Sequence, residues 1–293
     1  MRHPCGITRT SVSLCVTGGR LTQHLWLLPV WVLIGAFGTL IGAGGGFVLT
    51  PMLLLVYPDE SPEVITSISL AVVFLNAFSG SVAYARMQRI DYPSGVLFAL
   101  ATIPGAIVGA LTTTYMPRQA FDLVFGLCMI LAAIFLFLRG GALSKPEAQP
   151  KTRYHVIRQM IEVDGTQHTF SYNRRVGIGL SIAVGYFSSL LGIGGGIIHV
   201  PAMTHVLHFP VHIATATSHF TLAVMALTGT LVHIATGSFH HGLRRTIALG
   251  LGVLLGAQFG ARFSHHVHGQ WILRSLAVAL GLVGIRILVL AFV

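Results

Sequence analysis

The stretch LIGAGGGFVLTP, residues 40–51, places three consecutive glycines inside an apolar run that is otherwise typical of a membrane helix. Glycine is one of the poorest helix formers and costs roughly 1 kcal/mol relative to alanine. The stretch LLGIGGGIIHVP, residues 190–201, repeats this pattern in the second half of the chain. Gly42, Gly44, Gly45, Gly46 and Pro51 match Gly192, Gly194, Gly195, Gly196 and Pro201 without a gap. The match indicates an internal duplication.

The composition indicates a membrane protein. Of 293 residues, 54% are hydrophobic and only 9% are charged, whereas soluble domains carry about 25% charged residues. Several apolar runs exceed the roughly 18 residues that mark a membrane span. The net charge of +10 does not indicate a nucleic-acid partner, because no basic patch lies free of membrane segments. We therefore predict an all-α polytopic membrane protein in a lipid bilayer, with no cofactor.

Eight apolar segments divide the chain into two groups of four. They are residues 25–57, 64–85, 94–114, 119–138, 176–207, 214–234, 246–263 and 271–293. The long polar stretch between the groups, residues 139–173, is interpreted as a cytoplasmic linker. Residues 1–24 form a predicted cytoplasmic tail, residues 25–138 the first transmembrane repeat and residues 174–293 the second. The sequence is also compatible with a homo-oligomer.

The first apolar segment of each group is too long for one straight crossing, at ~48 Å against a ~30 Å hydrocarbon core. A crossing helix broken at the glycines would give about eight spans in two parallel four-helix repeats. A re-entrant hairpin would give three spans and a re-entrant loop per half, with the halves inverted and Arg86 and Arg89 outside. The alternation of positive loops favours the broken crossing, with both termini and the linker in the cytoplasm.

The two glycine motifs predict a binding site for a small anion. Non-helical backbone at membrane depth is tolerated where it is buried in protein or lines a watery cavity. A helix that restarts there points free N–H groups and a partial positive charge at the break, which favours anions. Paired breaks in matching halves indicate a transporter site, although glycines also permit close helix packing. The candidate substrate-binding residues are Gly42, Gly44, Gly45, Gly46, Gly192, Gly194, Gly195, Gly196, Thr66, Ser69, Asn76, Thr215, Ser218 and His219.

The segments FGTLIGAGGGFVLTPML, residues 37–53, and FSSLLGIGGGIIHVPAM, residues 187–203, resemble the duplicated signature of the sulfite exporter TauE/SafE family. The resemblance covers residues 25–138 and 176–291. It implies a multi-pass permease of the bacterial inner membrane. The implied substrates are sulfite, organosulfonates and related sulfur or carboxylate anions.

An alternative hypothesis is a transition-metal cation transporter, because imidazole binds zinc, nickel and copper. The histidines after Gly196 are His199, His205, His208, His212, His219, His233, His240, His241, His265, His266 and His268. This half offers no carboxylate or thiolate to complete such a site. No metal site and no catalytic arrangement is predicted, so we expect a transporter and not an enzyme.

The absence of a G-x-x-x-x-G-K motif favours secondary transport. His199 and His219 are candidate proton carriers, with His219 the better placed, whereas Asp122 is expected to pair with Arg118.

Overall fold

The computed structural model describes residues 28–57, 59–139, 155–163, 165–241, 243–264 and 269–292. Within these ranges the chain forms ten α-helices, one β-hairpin and one 3-10 turn, Ser238–His241. The helices of the first half are α1 Leu28–Ile41, α2 Gly46–Val56, α3 Pro62–Arg86, α4 Tyr92–Tyr115 and α5 Arg118–Arg139. The strands are β1 His155–Ile161 and β2 Gln167–Asn173. The helices of the second half are α6 Arg174–Leu191, α7 Gly196–His205, α8 Val211–Ala235, α9 Leu243–Phe263 and α10 Gly269–Phe292.

The mostly helical membrane fold is confirmed. Four helices of the described part are long and apolar enough to cross a membrane: α3, α4, residues 118–135 of α5, and α8. Shorter apolar helices lie in α1, α2, α9 and α10. Large apolar side chains also point outward, including Phe78, Leu100, Leu131, Leu251 and Leu282. Such a surface suits lipid and not water.

The β-hairpin corrects the all-α prediction. It lies in the predicted linker and pairs His155 with Asn173 and Ile161 with Gln167. One face of the β-hairpin is apolar and packs against the helices, with Phe170 and Tyr172 buried. The predicted tail, residues 1–24, and residues 140–154 of the linker lie outside the described residues.

Each glycine motif interrupts a helix, as predicted, but the chain then folds back instead of continuing across. In the first half, a Cβ atom built on Gly45 would lie 3.3 Å from the carbonyl oxygen of Ile34. In the second half, a Cβ atom built on Gly195 would lie 3.1 Å from Ser188 Oγ, and His199 Nε2 lies 3.5 Å from Ser181 Oγ. Both motifs are therefore the tips of helical hairpins. We call α1–α2 helical hairpin 1, with tip 1 at residues 42–45. We call α6–α7 helical hairpin 2, with tip 2 at residues 192–195.

The neighbouring helix confirms the reversal. Near the end of α3, the Tyr84 hydroxyl donates to the carbonyl of Thr39, near the end of α1. In α2, Thr50 contacts Ser69 of α3 at 2.8 Å between the hydroxyl oxygens. Helix α1 thus runs parallel to α3, and α2 runs antiparallel to it. The re-entrant alternative describes the structure, and the favoured broken crossing is wrong because the positive-φ glycines reverse the chain.

The two halves run in opposite directions. Thr66, near the start of α3, lies 3.5 Å from His233, near the end of α8. Gly80, near the end of α3, packs against His219, near the start of α8. These central helices are antiparallel, which corrects the prediction of two parallel repeats.

The remaining helix contacts are reciprocal between the halves. Helix α6 packs parallel to α4, and α1 packs parallel to α9, while α5 and α10 pack against each other. The glycines that allow close approach are Gly105 at Ile182, Gly109 at Tyr186, Gly256 at Val32 and Gly260 at Ala36. The first helix of each half therefore packs on the fourth helix of the other half.

The bundle has two ends. The β face carries the β-hairpin, whose Glu162 pairs with Arg89 in the loop after α3. The opposite face carries the loop before α3, where Arg118 donates to the carbonyl of Glu60. Because α1 starts and α10 ends at the opposite face, the described ends of the bundle do not share a side with the β-hairpin. For the described ends, Leu28 and Phe292, this arrangement differs from the prediction that the termini and the linker lie on one side.

Candidate functional site

The two tips meet in the middle of the bundle. A Cβ atom on Gly196 would overlap the carbonyl oxygen of Gly42, and one on Gly46 would lie 2.8 Å from the carbonyl oxygen of Ile193. Residues 42–46 and 192–196 are all buried. Non-helical backbone at this depth is therefore enclosed by protein, as the membrane requires.

The glycines are required by the backbone geometry. The φ angles are 79° at Gly42, 72° at Gly44 and 76° at Gly45. The corresponding angles in tip 2 are 67° at Gly192, 78° at Gly194 and 46° at Gly195. Residues with a Cβ atom adopt this left-handed region at a cost. Turn formation and tip-to-tip packing thus account for the glycines.

The predicted polar residues of the first half bind to protein groups. The carbonyl of Gly192 accepts from Thr50 Oγ1 at 2.7 Å and from Ser69 Oγ at 2.6 Å. Asn76 accepts from Thr39 Oγ1 at 2.5 Å and donates to the carbonyl of Gly35 at 3.2 Å. These side chains hold helical hairpin 1 and tip 2 in place.

A small cavity lies at the start of α7, between second-half helices and α4 of the first half. Its volume of about 10 Å³ leaves room for about one water molecule. The cavity is lined by Thr102, Val184, Gly195, Gly196, His199, Ser218, Thr221, Leu222 and Met225. Only Gly195, Gly196 and Ser218 among these were predicted as substrate-binding residues.

His199 also lines the cavity; the sequence predicted it as a candidate proton carrier but not as a substrate-binding residue. Its side chain is 2% exposed, and its ring lies between two hydroxyl groups. Nδ1 is 3.3 Å from Ser218 Oγ, and Nε2 is 3.5 Å from Ser181 Oγ. The aligned repeats could have indicated His199, because the matching residue of the first half is the apolar Leu49 and the histidine is specific to the second half. The aligned repeats could have indicated Thr221 in the same way, because the matching residue of the first half is the apolar Val72.

Other predicted residues do not line this cavity. Thr66 and Thr215 donate to carbonyls of their own helices, at Pro62 and Val211. His219 is buried against the ring of Tyr84, with 5.8 Å between the ring centroids. In the described part of the chain, neither ring nitrogen of His219 has a hydrogen-bond partner.

Polar side chains contribute to the lining of the cavity, which in this conformation is smaller than a sulfur oxyanion and has to widen to admit one. The N-terminus of α7 brings a partial positive charge, while the N–H groups of Gly196, Ile198 and His199 donate to the carbonyls of Gly194 and Gly195. Hydroxyl groups of Ser218 and Thr221 and the imidazole of His199 line the space, and no carboxylate does. Within the described residues, no group of three or more His, Cys, Asp or Glu side chains is placed to hold a metal ion.

The β-hairpin covers the cavity from the β face. The rings of Phe98 and His199 lie 6.0 Å apart in an edge-on arrangement, and Tyr172 packs on the other side of Phe98 at 5.6 Å. Burial raises the pKa of Tyr172, and its hydroxyl lies 2.7 Å from Ser94 Oγ.

Ion pairs connect the β-hairpin to the loop between α3 and α4. Glu162 lies 2.6 Å from Arg89 and 3.0 Å from His168, and both Glu162 and Arg89 are 6% exposed. Arg158 lies 3.6 Å from Asp91.

Comparison with known proteins places the chain among membrane transporters. The family model described as "Sulfite exporter TauE/SafE" matches residues 27–287. A "Probable membrane transporter protein YunE" of Bacillus subtilis is 32% identical over 89% of this chain and 96% of the relative. A "Probable membrane transporter protein" of Xylella fastidiosa is 29% identical over 85% of this chain and 90% of the relative. A "Probable membrane transporter protein MJ0441" of Methanocaldococcus jannaschii is 20% identical over 91% and 97%. No solved structure matches the chain.

Proposed function

Because the chain belongs to the sulfite exporter TauE/SafE family of membrane transporters, we propose that it carries a small sulfur oxyanion across the bacterial inner membrane. The proposed substrate class is sulfite or an organosulfonate. The proposed binding site is the cavity between tip 2 and α8. It would be formed by Gly195, Gly196, Ser218, Thr221 and His199.

The observation that carries this proposal is the position of the cavity. It lies at the N-terminus of a broken helix, between two oppositely directed halves, and it is lined by the side chains of His199, Ser218 and Thr221 and by no carboxylate. Transporters with inverted repeats commonly bind anions at such half-helix N-termini near the membrane midplane. The duplication seen in the sequence and the reciprocal packing support the same architecture.

We propose that the β face is cytoplasmic. The linker that leads into the β-hairpin contains Lys145, Lys151 and Arg153, and Arg174 and Arg175 follow directly after β2. Positively charged segments of this kind are retained in the cytoplasm. Because the sequence has no ATP-binding loop of the G-x-x-x-x-G-K type, the transport is proposed to be secondary.

The test is anion flux in proteoliposomes that contain the purified full chain. We expect flux of sulfite and methanesulfonate, and no flux of choline as a cation control. Thr221→Val, which introduces the residue found in the first half, should lower the flux about tenfold, since a hydrogen bond to a charged group contributes about 1.5–3 kcal/mol.

Thr228→Val is the matched control, because Thr228 lies on the same helix and donates to the carbonyl of Val224. Its flux should equal that of the wild type. Absence of flux for both sulfur oxyanions, or equal loss in the two variants, would contradict the proposal.

A further inference from the structure

We propose that His199 couples anion binding in the cavity to the uptake of one proton, by turning the Ser218 hydroxyl from an acceptor into a donor toward the cavity. The inference rests on the proposed function and extends it to the energy coupling of the same site. It assigns the proton to His199 and not to His219, the residue that the sequence favoured.

The hydrogen bonds around His199 define its neutral state. Ser181 Oγ donates its hydrogen to the carbonyl of Gly177 at 2.8 Å, so toward His199 Nε2 it can only accept. Nε2 therefore carries the ring hydrogen, and Nδ1 presents a lone pair. The Ser218 hydroxyl, 3.3 Å from Nδ1, then donates its hydrogen to the ring.

In this state Ser218 shows oxygen lone pairs to the cavity, which is unfavourable for an anion. When a proton from water binds to Nδ1, the new N–H donates to Ser218 Oγ. The Ser218 hydrogen is released from the ring and can donate to the anion. One N–H bond forms as an O–H bond of a solvent hydronium ion breaks and leaves a water molecule, and the added positive charge balances one negative charge of the substrate.

The surroundings of His199 make proton uptake by the imidazole and anion binding in the cavity depend on each other. The groups that face the imidazole are Ser181 of α6, Ser218 of α8 and the ring of Phe98 of α4, none of which is charged near neutral pH. The nearest titratable group beyond Phe98 is the Tyr172 hydroxyl. A buried imidazolium without a counter-ion is unfavourable, so the bound anion supplies the charge that stabilises it. By linkage the proton strengthens anion binding to the same extent.

The other elements near α7 offer no substitute counter-ion. Helix α5 meets the far end of α7, where Phe135 packs against His205. Asp122, the carboxylate of α5, pairs with Arg118. At the equivalent point of the first half, Leu49 replaces His199, and Ser69 donates to the carbonyl of Gly192 instead of a ring. The switch is therefore a property of the second half.

The experiment is calorimetric titration of the full chain in detergent with methanesulfonate, whose charge is constant near neutral pH. Measurement in two buffers with different ionisation enthalpies gives the number of protons taken up. We expect about one proton per bound anion, and a dissociation constant that rises up to about tenfold per pH unit on the alkaline side.

His199→Gln is the test variant, because its amide can donate to Ser181 and accept from Ser218 but cannot take up a proton. It should bind methanesulfonate at least about tenfold more weakly, without proton uptake and without pH dependence, as expected when about 1.4 kcal/mol of coupling is lost. His219→Gln is the control and should keep the proton uptake of the wild type.

The outcomes separate the two proposals. Wild-type binding without proton uptake overturns the coupling and leaves the proposed function intact. Proton uptake that persists in His199→Gln, or that disappears in His219→Gln, also overturns it. Failure of the wild type to bind methanesulfonate and sulfite overturns the anion site and the coupling together.

Discussion

The two helical hairpins share the same backbone conformation at their tips but differ in the side chains around them. Both tips reverse the chain with three positive-φ glycines, and both press against the opposite half. Around tip 1 the matching positions are apolar, as at Leu49 and Val72, or closed by internal hydrogen bonds, as at Asn76. Beside tip 2, His199, Ser218 and Thr221 face a cavity.

The difference separates the scaffold from the proposed site. A duplicated backbone supplies two half-helix N-termini, and either one is suited to an anion. Beside tip 1, the apolar residues Leu49 and Val72 occupy the matching positions. Beside tip 2, polar side chains line the cavity. The glycines alone therefore do not distinguish the two tips, and we place the proposed binding site beside tip 2, where His199 and Thr221 stand at the positions of Leu49 and Val72.

The largest expected effect concerns the direction of the two halves. Val163→Cys in the β-hairpin and Asp59→Cys in the loop before α3 should be labelled from opposite sides of the membrane by an impermeant thiol reagent. A reporter fused after Phe292 should report the side of Asp59, because α10 ends at the opposite face. If the reporter instead lies on the side of Val163, the inverted arrangement is contradicted and the broken crossing with parallel repeats is supported.

Glycine substitution in the tips should abolish transport in both halves. Gly45→Leu and Gly195→Leu place a branched side chain at positive φ, which costs about 1–2 kcal/mol before any clash is counted. Membrane abundance is measured together with anion flux. Gly179→Leu in α6 is the control, because no atom lies within 4 Å of a Cβ built there. Full flux in either tip variant would contradict the shared backbone role.

Hydroxyl removal should act differently in the two halves. The double change Thr50→Val and Ser69→Ala leaves the buried carbonyl of Gly192 without its two donors, which costs about 1–3 kcal/mol. We expect a lower Tm in detergent. Ser218→Ala should leave Tm near the wild-type value and weaken anion binding. The reverse pattern would mean that the structural and binding roles have been assigned to the wrong halves.

The smallest effect is expected at Asp122. Its partly buried side chain lies 2.9 Å from Arg118 Nε, one helical turn away, and ion pairs of this spacing on a helix surface contribute about 0.3–0.5 kcal/mol. Asp122→Asn should therefore retain the anion flux and its pH dependence in proteoliposomes. Loss of flux at normal abundance would indicate a carboxylate proton relay.

The sequence predicted the membrane class, the two helix breaks and the ion pair of Asp122. Hydropathy and glycine content determine the first two through lipid exposure and helix propensity. The reversal of the chain could not be predicted in this way, because a broken crossing and a hairpin need the same length of apolar sequence. The positive φ angles that distinguish them are accessible to any glycine.

Two further features escaped the sequence prediction for physical reasons. The strands of the β-hairpin are short and lie in a polar segment, so their stability comes from tertiary packing of Phe170 and Tyr172 and from the pairing of Arg89 with Glu162. The sequence contains 15 histidines, and its pattern does not show which of them faces a cavity. The packing of α7 against α6 and α8 places His199 there.

The most direct measurement of the central claim is protection of a cysteine by methanesulfonate in a chain from which Cys5, Cys15 and Cys128 have been removed. Thr221→Cys places the thiol in the cavity beside tip 2, and Val72→Cys places it at the matching position of the first half. If the anion binds beside tip 2, saturating methanesulfonate slows thiol modification of the Thr221→Cys variant and leaves the Val72→Cys variant unchanged. Equal protection of both variants, or protection of the Val72→Cys variant alone, would contradict the account.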